Sequence, residues 1–183
     1  MAHEVLFIAG SPSPASRSSA VARAVADEVE IAGYAPRQIS LLDFDPADLL
    51  LGRTQAPAVA RLIDAARAAA GIVVSSPTYK ASYSGALKTV VDLIPPDALA
   101  DKPALGIATT RLDSHGALVE EAYRALFRFF SAHPAHTVVA VDAEIAVHES
   151  RVTLSPSAEQ RIRGAAAAFV AALARYGSAP KLA

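Results

Sequence analysis

Five short apolar runs, at residues 5–9, 35–42, 71–75, 104–109 and 137–141, alternate along this chain with longer stretches in which leucine, valine and alanine recur at helical spacing. A strand with one wet face alternates apolar and polar residues. Most of these runs are instead nearly continuous, as strands of a parallel sheet are when both faces are covered. The periodic stretches 18–32, 57–70, 84–93, 115–133 and 157–176 supply helices to cover them. The alternation predicts a doubly wound α/β domain, a five-stranded parallel sheet with helices on both faces, for which 2-1-3-4-5 is one of the common strand orders.

Local punctuation agrees with that division. Gly33 is placed to close the first helix as a C-cap and Gly71 the second, and Pro95-Pro96 stops the third. Ser155-Pro156-Ser157-Ala158-Glu159 reads as a helix start, with an acidic residue in the first turn where the helix dipole favours it. No repeat or low-complexity linker interrupts the 183 residues, which suit one domain over 1–176 and a loosely ordered tail over 177–183. Residues 43–55, with Asp45, Pro46, Asp48 and the run Leu49-Leu50-Leu51, show neither period. They read as a loop that tucks its leucines into its own core, or one that packs them against a neighbouring subunit.

With 52% hydrophobic residues the chain has ample material for a core, and a formal net charge of -1 lacks the basic footprint of nucleic-acid binding. The absence of cysteine excludes disulfides, thiolate catalysis and cysteine-based metal sites, and suits a reducing compartment such as the cytoplasm. The first apolar run is too short for the core of a secretory signal. The alanine runs 65–70 and 165–172 are interrupted by Arg67 or flanked by Arg163 and Arg175, so neither offers the roughly 18 uninterrupted apolar residues of a membrane span. No metal is expected either: of His3, His115, His133, His136 and His148, only His133 and His136 have a ligand-like spacing, and Pro134 breaks the helix they would need to share. The nucleophile elbow of hydrolases and the phosphate-loop lysine of NTPases are also missing.

Ligands of open α/β sheets bind outside the carboxyl ends of the strands, beside the point where strand order reverses. Three loops have that address, at residues 10–19, 75–84 and 109–114. The first, Gly10-Ser11-Pro12-Ser13-Pro14-Ala15-Ser16-Arg17-Ser18-Ser19, brings backbone N–H groups, hydroxyls and an arginine to the positive end of a helix dipole. That arrangement holds a phosphate; a serine-capped turn is the alternative. The second, Ser75-Ser76-Pro77-Thr78-Tyr79-Lys80-Ala81-Ser82-Tyr83-Ser84, sets two tyrosines and a proline beside free amides. These suit a flat heterocycle, with Lys80 offering charge to a reduced ring. Otherwise the tyrosines pack on the following helix, with Ser84 as its N-cap.

Gly10-Ser11-Pro12, Ser16-Arg17-Ser18-Ser19, the run from Ser76 through Ser84-Gly85-Ala86-Leu87-Lys88-Thr89, and then Asp92-Leu93 together resemble the NADPH-dependent FMN reductase family. Within it they are most similar to the subgroup that supplies reduced flavin to alkanesulfonate monooxygenases. The similarity runs through most of residues 5–108 and weakens afterwards. The resemblance implies a flavodoxin-like fold that binds FMN and accepts a hydride from NADPH or NADH. It also implies a flavin-dependent monooxygenase as recipient of the reduced FMN, and a homodimer or homotetramer. Carried over by position, Ser11, Ser16, Arg17, Ser18 and Ser19 would hold the FMN phosphate. Pro77, Thr78, Tyr79 and Lys80 would follow the ribityl chain and the ring edge, with Ser84 close by. No catalytic side-chain acid or base is required, because the cofactors carry the hydride chemistry and the protein supplies placement.

The third loop departs from the family, which usually has a glycine pair where this chain reads Thr109-Thr110-Arg111. Either the two threonines hydrogen-bond the ring in place of bare backbone, or flavin binding is altered; Arg111 would meet a nicotinamide phosphate or lie in solvent. Tyr123 falls near a tyrosine that the subgroup places in a π-helical insertion at its tetramer interface. Periodicity offers a simpler account, since Tyr123 borders the stripe of Leu118, Ala122, Ala125, Leu126, Phe129 and Phe130. Two other functions suit the same fold: a flavoprotein reductase of quinones, azo compounds or metal oxyanions, and a non-catalytic flavin-binding or electron-carrier module. Electron carriers tend to be strongly acidic, which the near-neutral charge disfavours.

Overall fold

The computed structural model describes residues 3–148 and 151–177; the expected loose tail beyond Gly177 lies outside the described residues. Strands β1 (Glu4–Ala9), β2 (Ala35–Ser40), β3 (Gly71–Tyr79), β5 (Ala104–Thr110) and β6 (Ala135–Val141) form the parallel sheet. A two-residue β4 (Ser82–Tyr83) folds back on the end of β3. The order is β2-β1-β3-β5-β6, which is the expected 2-1-3-4-5 arrangement of the long strands. Helices α1 (Arg17–Ile31), α2 (Pro46–Leu50), α3 (Pro57–Ala68), α4 (Gly85–Val91), α5 (Gly116–Phe129) and α6 (Pro156–Tyr176) complete the layers.

Side-chain alternation along each strand divides the core in two. Val5, Phe7, Val73, Leu105 and Ile107 pack with Val21, Val25 and Val29 of α1 and with Ile162 and Phe169 of α6. Leu6, Ile8, Ile72, Val74 and Ala108 pack with Leu62 of α3, Leu87 and Val90 of α4 and Val119 of α5. Two covered faces are the reason the strands read as unbroken apolar runs. No helix among the described residues is long and apolar enough to cross a membrane.

Several expected boundaries move. Strand β2 stops at Ser40 rather than at Leu42, because Ser40 caps a 3-10 turn over Leu41–Asp43. The Ser40 hydroxyl accepts the Leu42 N–H at 3.1 Å and Asp43 accepts the Ser40 N–H at 2.8 Å. Residues 43–55 contain α2, started by Asp45 as N-cap with Pro46 behind it. Phe44 and Leu49 enter the core, while Leu50 and Leu51 stay exposed. Gly33 does close α1, at φ +89°, with its N–H bonded to Glu30 and that of Tyr34 to Val29. Gly71 is no cap: α3 ends at Ala68, and Gly71 opens β3, where a Cβ would lie 2.6 Å from Leu173. Helix α5 ends at Phe129, short of His133 and Pro134. A hairpin of β7 (Ile145–His148) and β8 (Arg151–Leu154), unforeseen from the pattern, leads into α6. Helix α6 starts at Pro156, one residue early, on Ser155.

Tyr123 is fully buried. Its ring lies over Gly106, where a Cβ would come within 2.9 Å of it, and its hydroxyl donates to the Ile107 carbonyl at 3.2 Å. Tyr83 stands 5.4 Å away and Phe127 5.7 Å, centroid to centroid. Burial pushes the hydroxyl pKa of Tyr123 far above its ordinary value. The residue is therefore core, and α5 is regular α-helix around it with no π-helical insertion.

Lys102 caps α3 from outside. Its Nζ donates to the carbonyls of Ala66 and Arg67 at 2.7 and 2.6 Å, and burial pulls its pKa down to about 8. Between pH 8 and the ordinary lysine value the unfolded chain binds the extra proton, so this group makes stability rise with pH across that window. The side chain is partly exposed, which keeps the gain below about 1 kcal/mol. Denaturant titrations at pH 7.5 and 9.5 should show the rise in the natural chain and lose it in Lys102→Met; equal slopes in both would rule the linkage out.

Candidate active site

The carboxyl ends of β1, β3 and β5 meet at one end of the sheet. Gly10, just beyond β1, donates its N–H to the Ser75 carbonyl of β3 at 2.8 Å, and a Cβ on it would strike Leu87 of α4 at 2.7 Å. Glycine is required there because α4 packs directly on the chain. The Ser84 hydroxyl donates to the Gly10 carbonyl at 2.6 Å while accepting the Leu87 N–H at 2.9 Å. Its backbone N–H in turn reaches the Ser76 hydroxyl at 2.8 Å. Ser84 is thus the N-cap of α4 and the clamp between the first two loops, and its hydroxyl is spent on the scaffold.

The serine loop is organised around the start of α1. Ser11 folds back, accepting the Ser13 N–H at 3.2 Å. Ser16 is the N-cap, taking the Ser19 N–H at 3.2 Å, and its hydroxyl lies 2.9 Å from that of Ser18. One hydroxyl of that buried pair donates to the other, so one hydrogen of the two is left for an outside acceptor. The N–H groups of Arg17 and Ser18 belong to the first turn, where a helix offers them no internal partner. Ser19 is partly buried, and Arg17 points outward.

The second loop is a β-hairpin rather than a free loop. Strand β3 continues through Pro77, Thr78 and Tyr79, and Lys80 and Ala81 make the turn with φ of 51° and 65°. Two consecutive left-handed residues match the twist of a tight hairpin. Tyr79 is half exposed, whereas Tyr83 is partly buried against Tyr123, and because Tyr83 pairs with Thr78 and Tyr79 with Ser82 the two tyrosines lie on opposite faces of the hairpin. Thr78 Oγ1 is buried without a hydrogen-bond partner, a cost of about 1–3 kcal/mol that a ligand group can relieve.

The third loop begins later than expected, since β5 includes both Thr109 and Thr110. Thr109 pairs with Pro77 across the sheet, which joins this loop to the hairpin. Both threonines are buried, and the Thr110 hydroxyl donates to the Leu112 carbonyl at 3.0 Å. That hydroxyl holds the turn, whereas the Thr109 hydroxyl has no competing bond among the described residues. Arg111 is exposed and makes no ion pair among the described residues. A fourth segment at the same end, the 3-10 turn Asp142–Glu144 after β6, carries no recognisable motif, although a strand's carboxyl end announces it. The Arg161 side chain and the Val141 N–H hold the Glu144 carboxyl below the usual carboxylate range.

Residues 3–146 match the family described as NADPH-dependent FMN reductase. The chain belongs to that family. The FMN reductase (NADPH) of Escherichia coli (strain K12) is 33% identical over 172 residues, spanning 93% of this chain and 90% of the relative. The NADH-dependent FMN reductase SfnE of Pseudomonas putida is 33% identical over 131 residues, 70% of each. Among solved structures, the apo form of an NADH:FMN oxidoreductase (EMOB) superposes with a TM-score of 0.86 at 27% identity, over 98% of this chain and 95% of that one. This FMN reductase is an oxidoreductase that uses FMN with NADPH or NADH on a flavodoxin-like fold.

Proposed function

We propose that this FMN reductase works as a single domain over residues 1–176 and holds FMN across the carboxyl ends of β1, β3 and β5. The observation that carries this reading is the Ser84–Gly10 bond, which makes the serine loop and the hairpin adjoining walls of one site. Arg17, the free N–H groups of Arg17 and Ser18 and the unspent hydroxyl hydrogen of Ser16 or Ser18 would take the phosphate. Ser11 and Ser19 shape that loop. Pro77, Thr78 and Tyr79 would line the ribityl chain and ring, Thr78 gaining the partner it lacks, and Lys80 would bring positive charge to the ring. Thr109 would lie at the far edge and Arg111 would meet the nicotinamide nucleotide. When bound, FMN supplies the ring that accepts hydride; the chain's own residues bind, orient and exclude water.

In the same reading the reduced FMN passes to a flavin-dependent monooxygenase in the cytoplasm, and the protein is a homodimer or homotetramer. The exposed Tyr79 and Leu112 beside the site support a covering surface there. The test is a stopped-flow assay of NADPH and NADH oxidation with FMN, FAD and riboflavin as acceptors. Rates well above background with FMN are expected, and background rates with every pair would defeat the proposal. Arg17→Ala should weaken FMN binding by about 1.5–3 kcal/mol, at least tenfold in Kd, because a charged hydrogen bond to phosphate is lost. Quenching of flavin fluorescence measures it, and unchanged affinity removes the phosphate assignment.

A further inference from the structure

Arg17 already has a partner. Its Nη1 lies 3.8 Å from Asp142 Oδ2, with the two side chains 51% and 31% exposed. Asp142 opens the 3-10 turn at the end of β6, and that turn is tied down at its far end. Glu144 Oε2 accepts the Val141 N–H at 3.0 Å and an Arg161 N–H at 2.6 Å, while Ser157 donates to Oε1 at 3.1 Å. The Asp142 carboxylate is thereby held beside the first turn of α1, an end of the helix that attracts anions.

We propose that Asp142 is a built-in competitor for Arg17, a positioning residue that holds the guanidinium in the flavin-free protein and yields it to the FMN phosphate. The inference rests on the phosphate reading of residues 10–19. Its geometry is that of an exchangeable contact: one long, half-exposed pair carries little energy, whereas a phosphate offers the guanidinium two short charge-assisted bonds. The carboxylate also repels a dianion placed next to it. Both effects fall on FMN and neither falls on riboflavin, which lacks the phosphate. Asp142 therefore keeps FMN exchangeable, so that the flavin can leave once it is reduced.

The experiment is a set of FMN and riboflavin titrations, by fluorescence quenching at low salt, of the natural chain, Asp142→Asn, Arg17→Ala and the double variant. Asp142→Asn should tighten FMN about threefold to tenfold and slow its dissociation, an effect that shrinks as salt screens the charges. Riboflavin affinity should not change, and in the Arg17→Ala background the gain should shrink to what the carboxylate's repulsion of the phosphate alone supplies. If Asp142→Asn leaves FMN affinity unchanged or weakens it, while Arg17→Ala still weakens FMN selectively, the competitor role is wrong and the phosphate site stands. If Arg17→Ala affects FMN and riboflavin alike, the phosphate reading falls and takes the inference with it.

Discussion

Replacing Tyr123 with alanine is expected to remove about 3–5 kcal/mol of stability, the range seen when a large buried aromatic is cut back to a methyl group. The ring has no exposed surface, lies on the bare backbone of Gly106 and touches Tyr83 and Phe127. Its removal leaves a cavity under β5 that the neighbouring strands cannot fill, because their register is held by pairing on both sides. The Ile107 carbonyl also loses the phenol hydrogen bond. Tyr123→Phe isolates that last contribution and should cost about 1 kcal/mol. Urea denaturation measures both variants. A loss below 1 kcal/mol for Tyr123→Ala would mean that the ring does not pack on Gly106.

Ser84→Ala should be the more telling change, because it strikes stability and the site together. The hydroxyl is the cap of α4, and losing a serine cap costs about 0.5–2 kcal/mol. It is also the donor to the buried Gly10 carbonyl, and an acceptor left unpaired costs about 1–3 kcal/mol more. A total near 2–4 kcal/mol follows, read as a lowered denaturation midpoint. FMN affinity should fall with it, although the hydroxyl is spent on protein partners, because the serine loop loses its tie to the hairpin. Ser84→Thr keeps an equivalent oxygen and should restore most of both properties. A Ser84→Ala protein within 0.5 kcal/mol of the natural chain would show that the two loops are held by something else.

Residue by residue, what could be read in the sequence was what chain neighbours decide. Gly33 and Ser155 mark helix ends through bonds to residues at most a few positions away, and such signals survive in a linear string, whereas Asp45, the cap of α2, stands in a segment whose pattern reads as a loop. The second loop was located correctly but its form was not: Lys80 and Ala81 are poor left-handed formers on their own, so a tight turn there gave no signal. Tyr83 and Tyr79 look equivalent in the sequence, and only the packing of α5 against β4 and β5 sends one inward and leaves the other out. Asp142 was missed for the same reason. Nothing near it in the chain announces Arg17.

By itself the sequence determined the strand and helix alternation and the burial of the strands on both faces. Those properties follow from hydrophobic period and local capping, which need no distant partner. The tertiary structure alone decided how the loops that bound the site are joined. Ser84 reaches a carbonyl 74 positions back, and Arg17 meets a carboxylate held at the end of the last parallel strand. Gly10 and Gly106 are glycines because Leu87 and Tyr123 press on them from other elements. These contacts depend on where folded elements come to rest against one another, and no local pattern of residues encodes that.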